Sequence, residues 1–379
     1  MKRLYLAGAL ALVVFEFANV YFIMPMPGSQ RAPSIGVAYM LYQWRWPIRA
    51  LCLTILLAGV PATLAVTGRR RWVAPAVAVL TAAFVYATNF RMAADHMFLP
   101  PTRLIMAPPA KNAVPLDRLV VGVQLNGEAR AYPLRFIGYH HQVRDTVGGQ
   151  EVLVSYCTVC RTGRVFSPVL DGVSQRFRLV GMDHWNAMFE DAATGSWWRQ
   201  ANGEAIRGPR LGQRLLELPS MHVSLRQWLA MHPGSLVMQA DSVLADKYKK
   251  DNSYEDGSSR ADLTGTDTAS WNDKSWVVGI TQNGASKAYD WNRLKRERLI
   301  NDEVGGTPIV LLLAGDTVSY FAYQRPPGVQ FTLQGDSLTA PGASYGLDGR
   351  GSLGRLTAVS ASQEFWHSWR TFQPATARY

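Results

Sequence analysis

The chain has 379 residues, of which 48% are hydrophobic and 18% are charged. This length allows two or three domains, and the apolar content argues against a disordered chain. The net charge of +11 falls mainly in the apolar first quarter of the chain, where positive residues are typical of membrane topology signals. The sequence therefore argues against a nucleic-acid-binding protein.

Three apolar segments open the chain, and each is about long enough to cross a hydrocarbon core of ~30 Å. They run over residues 4–23, 48–66 and 72–90. No small-residue cleavage site follows the first segment, which predicts a retained membrane anchor rather than a signal peptide. The positive charges at Lys2-Arg3 and at 69–71 are expected to stay in the cytoplasm. This predicts an inner (plasma) membrane protein whose C-terminal domain is periplasmic or otherwise extracytoplasmic.

Glu16 lies near the middle of the first apolar segment. An ionisable side chain at that depth costs several kcal/mol. It is therefore either a functional group or a group paired inside a helix bundle.

From Leu119 onward, short apolar runs alternate with turn residues. Asn126-Gly127 and Gly148-Gly149 are each flanked by such runs, which predicts two β-hairpins. Residues 225–231 form the one convincing helical pattern, begun by Ser224 and ended before Pro233. The predicted fold is three transmembrane helices followed by a mainly β, α+β extracytoplasmic domain.

The sequence VVGVQLNGEARAY from Val120 returns as VVGITQNGASKAY from Val277. The match continues without a gap to a shared Val-Gly-Gly, which predicts two lobes derived from an internal duplication. The predicted boundaries are a membrane anchor at 1–91, a juxtamembrane spacer at 92–118, a first lobe at 119–240, a polar linker at 241–275 and a second, degenerate lobe at 276–379.

The two copies also separate scaffold residues from candidates for chemistry. Asp145 recurs as Asp302, so we expect it to serve the scaffold. Four potential ligands of the first lobe are not conserved in the second: His140, His141, Cys157 and Cys160 align with Glu297, Arg298, Ala314 and Thr317. Any chemistry is therefore predicted in the first lobe.

Cys157 and Cys160 form a C-x-x-C pair that follows an apolar run, and His140 and His141 lie on the preceding arm of the same predicted hairpin. Both thiolates with one of these histidines, and with His184 as the favoured fourth ligand, would form a soft metal site for copper or, second, zinc. Alternatively, the pair acts in a thiol–disulfide oxidoreductase. The third hypothesis is a non-catalytic, ligand-binding envelope module with a structural disulfide.

Between the cysteines and the predicted helix, aromatic residues alternate with charged ones. Trp185, Trp197, Trp198 and Arg199 are candidates for a cleft that holds a polar ligand such as a sugar or a quinone-like ring. The same side chains would suit the packed edge of a β domain.

Several motifs resemble those of a bacterial family known as domain of unknown function 3179 (DUF3179). They are ARAYPLRFIGYHHQVRDTVGG, VSYCTVCRTGRVFSP, TGSWWRQANGEAIRGP and VVGITQNGASKAYDW. The resemblance covers residues 119–379. It supports the lobe boundaries and the first-lobe cysteines, and it implies no particular reaction. The doubled histidine and the three-span anchor point to a membrane-anchored branch of the family.

Overall fold

The computed structural model describes residues Lys2–Tyr379. Met1 and the side chain of Lys2, which belong to the predicted anchor and to its positive N-terminus, lie outside the described part. The helices of the described chain are α1 Lys2–Tyr21, α2 Ile35–Gln43, α3 Arg45–Leu64, α4 Val73–Tyr86, α5 Ala94–Met97, α6 Leu134–His140, α7 Leu225–Met231, α8 Ser253–Asp256, α9 Trp291–Glu297 and α10 Trp366–Phe372.

Short strands make up most of the remaining secondary structure. Those of the first part of the chain are β1 Met106–Ala107, β2 Leu119–Leu125, β3 Glu128–Pro133, β4 Gln142–Val147, β5 Gln150–Cys157, β6 Thr162–Phe166, β7 Val169–Leu170, β8 Val173–Ser174, β9 Phe177–Asp183, β10 Asn186–Asp191, β11 Trp197–Arg199, β12 Ala205–Arg207, β13 Met221–Ser224 and β14 Leu236–Met238. Those of the second part are β15 Trp276–Gln282, β16 Ala285–Asp290, β17 Leu299–Val304, β18 Thr307–Leu313, β19 Tyr320–Gln324, β20 Thr332–Gln334, β21 Ser337–Ala340, β22 Ala343–Tyr345, β23 Arg350–Gly351, β24 Gly354–Arg355, β25 Ala361–Phe365 and β26 Ala377–Arg378.

The chain divides into two compact units. One unit comprises the chain up to Leu99 together with Phe177–Arg199 and Ala205–Gly212. The other comprises Pro100–Arg176, Gln200–Glu204 and Gln213–Tyr379. The candidate cleft residues Trp185, Trp197, Trp198 and Arg199 therefore belong to the unit that contains the N-terminal helices.

Three helical segments of the first unit are long and apolar enough to cross a membrane, as the sequence predicts. They are Arg3–Tyr21, Arg45–Leu64 and Gly68–Arg91. The third consists of a 3-10 turn, α4 and a π-helical turn at Ala87–Arg91. Glycine allows α1 and α3 to approach closely, because a Cβ atom at Gly59 would lie 2.3 Å from the backbone nitrogen of Tyr5.

The first unit also contains an antiparallel sheet in the order β12-β11-β10-β9. Apolar side chains of this sheet, among them Met188 and Trp197, pack with Ala38 of α2. The backbone nitrogen of Met182 donates a 2.7 Å hydrogen bond to the carbonyl oxygen of Ile23, just beyond α1. Residues far apart in the sequence thus join the sheet to the membrane segment.

In the second unit, one order of elements occurs twice. The order β2-β3-α6-β4-β5-β6 is matched by β15-β16-α9-β17-β18-β19. Each set ends in a strand, a helix and a strand, which are β13-α7-β14 in the first set and β25-α10-β26 in the second. In the first set, β13 pairs antiparallel with β2 and β14 pairs parallel with β3. In the second set, β25 pairs antiparallel with β15 and β26 pairs parallel with β16. Both hairpins predicted from Asn-Gly and Gly-Gly are present, as is α7 with the side chain of Ser224 as its N-cap.

Equivalent contacts stabilise both sets. The Tyr132 hydroxyl donates to Asp145 at 2.7 Å, and the Tyr289 hydroxyl donates to Asp302 at 2.8 Å. These buried tyrosines tie the first hairpin of each set to the next strand. The aspartates therefore have a structural partner in both copies.

The two sets share a hydrophobic core through β18. Alternate side chains of a strand point to opposite faces. Val310 and Leu312 accordingly join the core of the first set, and Ile309 and Leu311 pack in the core of the second. The two sets are therefore parts of one compact unit and not separate domains.

The polar segment at 241–275, predicted as a linker, packs against the first set. The backbone nitrogen of Leu119 donates to Glu255 at 2.8 Å, and the guanidinium of Arg161 donates to the carbonyl oxygen of Tyr254 at 2.7 Å. Glu255 and Arg161 are both buried. This segment, which the sequence predicts to be a linker, is thus integrated into the fold through the buried carboxylate of Glu255.

Candidate functional site

Cys157 ends β5, and Cys160 lies in the tight turn that leads to β6. Cys157 is paired with Thr162 across the ladder, which closes the hairpin around the four intervening residues. Arg161 completes the turn with a positive φ of 56°. Both cysteines are 0% exposed, and neither forms a disulfide. The C-x-x-C spacing on a turn therefore places two buried thiols side by side.

Residues from the C-terminal part of the chain hold the backbone of this turn. The Lys274 ammonium donates to the carbonyl oxygen of Val159 at 2.7 Å and lies 3.4 Å from Nε2 of His367. Nε2 of His367 lies 3.2 Å from the same carbonyl oxygen. The backbone nitrogen of Phe365 donates to the carbonyl oxygen of Cys160 at 2.9 Å. The turn is thereby fixed from outside its own hairpin.

A network of buried, hydrogen-bonded side chains lies next to Cys160. The hydroxyls of Thr162 and Ser368 are 3.2 Å apart, and the Ser368 hydroxyl donates to Glu364 at 2.8 Å. Arg164 donates to the same carboxylate at 2.7 Å. All of these groups are satisfied by one another, which makes the wall around the thiols rigid.

The Cys160 thiol is protonated at neutral pH. Burial raises the pKa of Cys160 well above its ordinary value, and its hydrogen-bonded neighbour Cys157 raises it further. Ser368 and Lys274 act in the opposite direction. Burial also lowers the pKa of Lys274, an effect that the two thiols oppose. The lysine is therefore the group through which a thiolate would be stabilised here.

The two adjacent histidines lie at the open end of the β4–β5 hairpin, as expected. His140 is buried at the end of α6, with Nε2 2.9 Å from the Tyr248 hydroxyl. His141 follows it in the left-handed conformation, with Nδ1 3.1 Å from the carbonyl oxygen of Tyr139. Burial lowers the pKa of His141 to about 4, so its ring is neutral at pH 7.

No three His, Cys, Asp or Glu side chains within residues 2–379 are grouped so that they could hold a metal ion. The soft-metal set of Cys157, Cys160, His140 or His141, and His184 thus has no support in the geometry of the described chain. It stays a prediction.

His184 belongs to the unit of the N-terminal helices, whereas the cysteines belong to the other. Its Nδ1 lies 2.6 Å from Asp183, which also accepts a hydrogen bond from Arg199 at 2.6 Å. Burial acts to raise the pKa of Asp183, but His184 and Arg199 outweigh it and hold the pKa below its ordinary value. These three residues form an ion-pair cluster of their own.

The candidate cleft tryptophans differ in their surroundings. Trp197 and Trp198 are 0% exposed, and their indole nitrogens donate to Glu190 at 3.0 Å and Asp191 at 2.8 Å. Trp185 lies in the turn between β9 and β10, and its backbone nitrogen donates to Gln30 at 3.2 Å. The rings of Trp197 and Trp198 are therefore buried in the structure and do not line an open cleft.

Lys274, His367 and Ser368 were missed in the sequence. A signal was present, because α7 and α10 are equivalent elements and their sequences, LRQW and WHSW, differ at the two positions before the shared tryptophan. His367 and Ser368 occupy those positions. Lys274 gave no signal, because it lies in a polar stretch that resembles a surface loop.

The fold and the site define a mainly β protein with a buried thiol pair and with three N-terminal helices long and apolar enough to cross a membrane. Residues 103–376 match the family described as "Protein of unknown function (DUF3179)", and the chain belongs to this family. The match covers most of the chain and confirms the resemblance noted in the sequence. No curated protein and no solved structure matches the chain.

Proposed function

We propose that Cys157 and Cys160 form a reversible dithiol–disulfide pair, and that the protein is a membrane-anchored thiol–disulfide oxidoreductase. The observation that carries the proposal is the hydrogen-bonded contact of two buried thiols in one tight turn, with Lys274 directed at the same turn. Adjacent thiols need no third ligand to form a disulfide, whereas a metal site does.

The reaction proposed is exchange with a disulfide of another molecule. The thiolate of one cysteine attacks a sulfur of the external disulfide, which forms a mixed disulfide and releases one thiolate. The second cysteine, as thiolate, then attacks the first, which closes the Cys157–Cys160 bond and releases the second thiolate. Two thiols are oxidised, one disulfide is reduced, and the two protons pass to the released thiolates. Because both sulfurs are buried, the turn must open for the external disulfide to reach them.

We further propose that the β-rich part lies outside the cytoplasm, where disulfides persist. The basic clusters at the N-terminus and at 69–71 support this orientation through the positive-inside rule. Amine labelling of exposed Lys249 and Lys250 by an impermeant reagent tests it. Labelling in right-side-out vesicles but not in inside-out vesicles is expected, and the reverse pattern would contradict the orientation.

An internal duplication accounts for the two sets of elements, and we propose that the copies have divided their roles. The first copy provides the cysteines. The second has Ala314 and Thr317 at those positions, and its final helix contributes His367 and Ser368 to the thiol site. The loss of cysteines in the second copy argues against a staple that the fold itself requires.

The test is a redox titration of the detergent-solubilised full chain in glutathione buffers, with thiol trapping, mass analysis and measurement of bound metal. We expect one two-electron transition, confined to Cys157 and Cys160 and absent from the Cys157→Ser, Cys160→Ser double variant. Stoichiometric copper or zinc lost in that variant would favour the metal hypothesis. Thiols that stay reduced at every potential would refute the oxidoreductase.

Lys274→Met is expected to shift the pH profile of oxidation to higher pH, because the charge that favours the thiolate is gone. The matched control is Lys287→Met, since Lys287 is paired with Asp302 in the second set of elements. If Lys274 had only a structural role, Lys274→Met would lower the stability of the protein, and its pH profile of oxidation would match that of the control.

A further inference from the structure

A cavity of about 440 Å³ lies in the second unit, between β13 and β19. Its wall is largely apolar and aromatic, and includes Leu218, Met221, Trp228, Tyr320, Phe321 and Val359. The volume falls within the range of about 300–1,000 Å³ that is usual for small-molecule sites. The thiol pair does not line the cavity.

His222 gives this apolar wall a polar group. Its ring lies directly over Gly163, where a Cβ atom would be 2.4 Å from the ring carbon Cε1. The ring contacts the edge of Tyr320. Within residues 2–379, neither ring nitrogen of His222 has a hydrogen-bond partner. A ligand in the cavity would supply one, and glycine at position 163 leaves the space that seats the ring.

The charge around the cavity is positive. Arg355 is exposed at its edge and has no carboxylate partner in the described chain, whereas the nearby Arg350 is paired with Asp348. Glu217, the one carboxylate of the lining, is paired with Arg164 at 3.4 Å.

The histidines of the lining experience this positive field. Burial, together with the smaller effects of Arg164 and Arg161, lowers the pKa of His222 to about 3. Burial lowers the pKa of His232, with Arg355 and Arg350 as additional causes. Both rings are therefore neutral at pH 7, which lets them hydrogen-bond to a ligand without adding charge.

We propose that this cavity binds a small organic anion with a flat apolar body and a single carboxylate. One carboxylate oxygen pairs with Arg355, the other accepts from the neutral ring of His222, and the apolar body packs against Trp228 and Tyr320. The site is independent of the thiol pair.

Calorimetric titration of the full chain in a non-ionic detergent tests the site with 1-naphthoate and with its neutral isostere 1-naphthamide. We expect saturable binding of the carboxylate and much weaker binding of the amide. Arg355→Gln should weaken 1-naphthoate by about tenfold, as the loss of a charge-assisted hydrogen bond implies. Ser360→Trp should abolish binding because it fills the cavity from its edge.

Arg350→Gln is the matched control, since it removes a neighbouring surface charge that does not line the cavity. Equal binding of the two probes, equal losses in the two arginine variants, or no saturable binding of 1-naphthoate would each overturn the proposal. The Cys157→Ser, Cys160→Ser variant should bind 1-naphthoate as the native chain does. Failure of the redox proposal would therefore leave this result unaffected.

Discussion

Glu16 is the fully buried acid of the membrane segment, and its partners come from the other two spans. Arg49 of α3 donates to both carboxylate oxygens, at 2.6 and 2.9 Å. Asn89 of the π-helical turn donates at 3.0 Å and accepts from Arg49 at 2.6 Å. The network joins all three spans at one point, so of the two sequence hypotheses the structure favours the packing role.

Glu16→Gln should lower the stability of the anchor by about 3–5 kcal/mol, because it leaves the Arg49 charge buried without its counter-ion. The measurement is the thermal unfolding midpoint of the full chain in detergent. The control is Glu16→Met, Arg49→Met, which removes both charges and should recover most of the lost stability. A double variant as unstable as Glu16→Gln would show that the individual hydrogen bonds matter more than charge balance.

At the scale of elements, the contact of α1 with α3 depends on glycine. Cβ atoms at Gly8 and Gly59 would lie 2.4 Å from the nitrogen of Leu56 and 2.3 Å from that of Tyr5. Backbone atoms cannot rotate away as side chains can. The two helices must therefore separate if either glycine gains a side chain.

Gly59→Ala should accordingly destabilise the helix pair by about 1–3 kcal/mol, even though alanine is the better helix former. Ala58→Leu provides the control, because position 58 is exposed on the same helix and a larger side chain meets no neighbour. Unfolding of both variants in detergent would be followed by size-exclusion chromatography against temperature. A Gly59→Ala variant at least as stable as the control would contradict the close approach of α1 and α3.

Local signals in the sequence account for the elements that were predicted correctly. Asn-Gly and Gly-Gly turns, the serine cap of α7 and the apolar length of the spans are each readable within about twenty residues. The hairpin also placed His140 and His141 at the same end as Cys157. It did not decide side-chain geometry, and within residues 2–379 the predicted ligands are not grouped so that three of them could hold a metal ion.

At the scale of the whole molecule, the remaining features depend on contacts between distant segments. Trp197 is interior because it packs against Ala38 of α2, and Trp198 is interior because its ring contacts Phe177 of β9 and bonds to Asp191 of β10. No local pattern distinguishes this from a cleft. Ser368 reaches the thiol site through the docking of the second set of elements on the first, and Lys274 reaches the turn from the polar segment that precedes β15. The comparison of α7 with α10 could single out Ser368 but not its partner Thr162, which lies over a hundred residues away in the sequence, as Val159 does from Lys274.

Acid sensitivity is a property of the folded chain as a whole. Burial lowers the pKa of both His141 and His367 from 6.5 to about 4. Since the unfolded chain binds these protons more readily, the stabilisation is present above pH 6.5 and is lost as the pH falls toward 4. When the pH falls from 7.5 to 5.0, each histidine should lower the free energy of unfolding by roughly 2 kcal/mol.

The measurement is urea unfolding of the full chain in detergent at pH 7.5 and 5.0, followed by tryptophan fluorescence. His141→Asn, His367→Gln should lose less stability than the native chain over this interval, because neither replacement takes up a proton. Asparagine suits position 141 since it tolerates the left-handed conformation. Most carboxylates titrate below pH 5, so an equal loss in both proteins would mean that these two rings are not buried in neutral form.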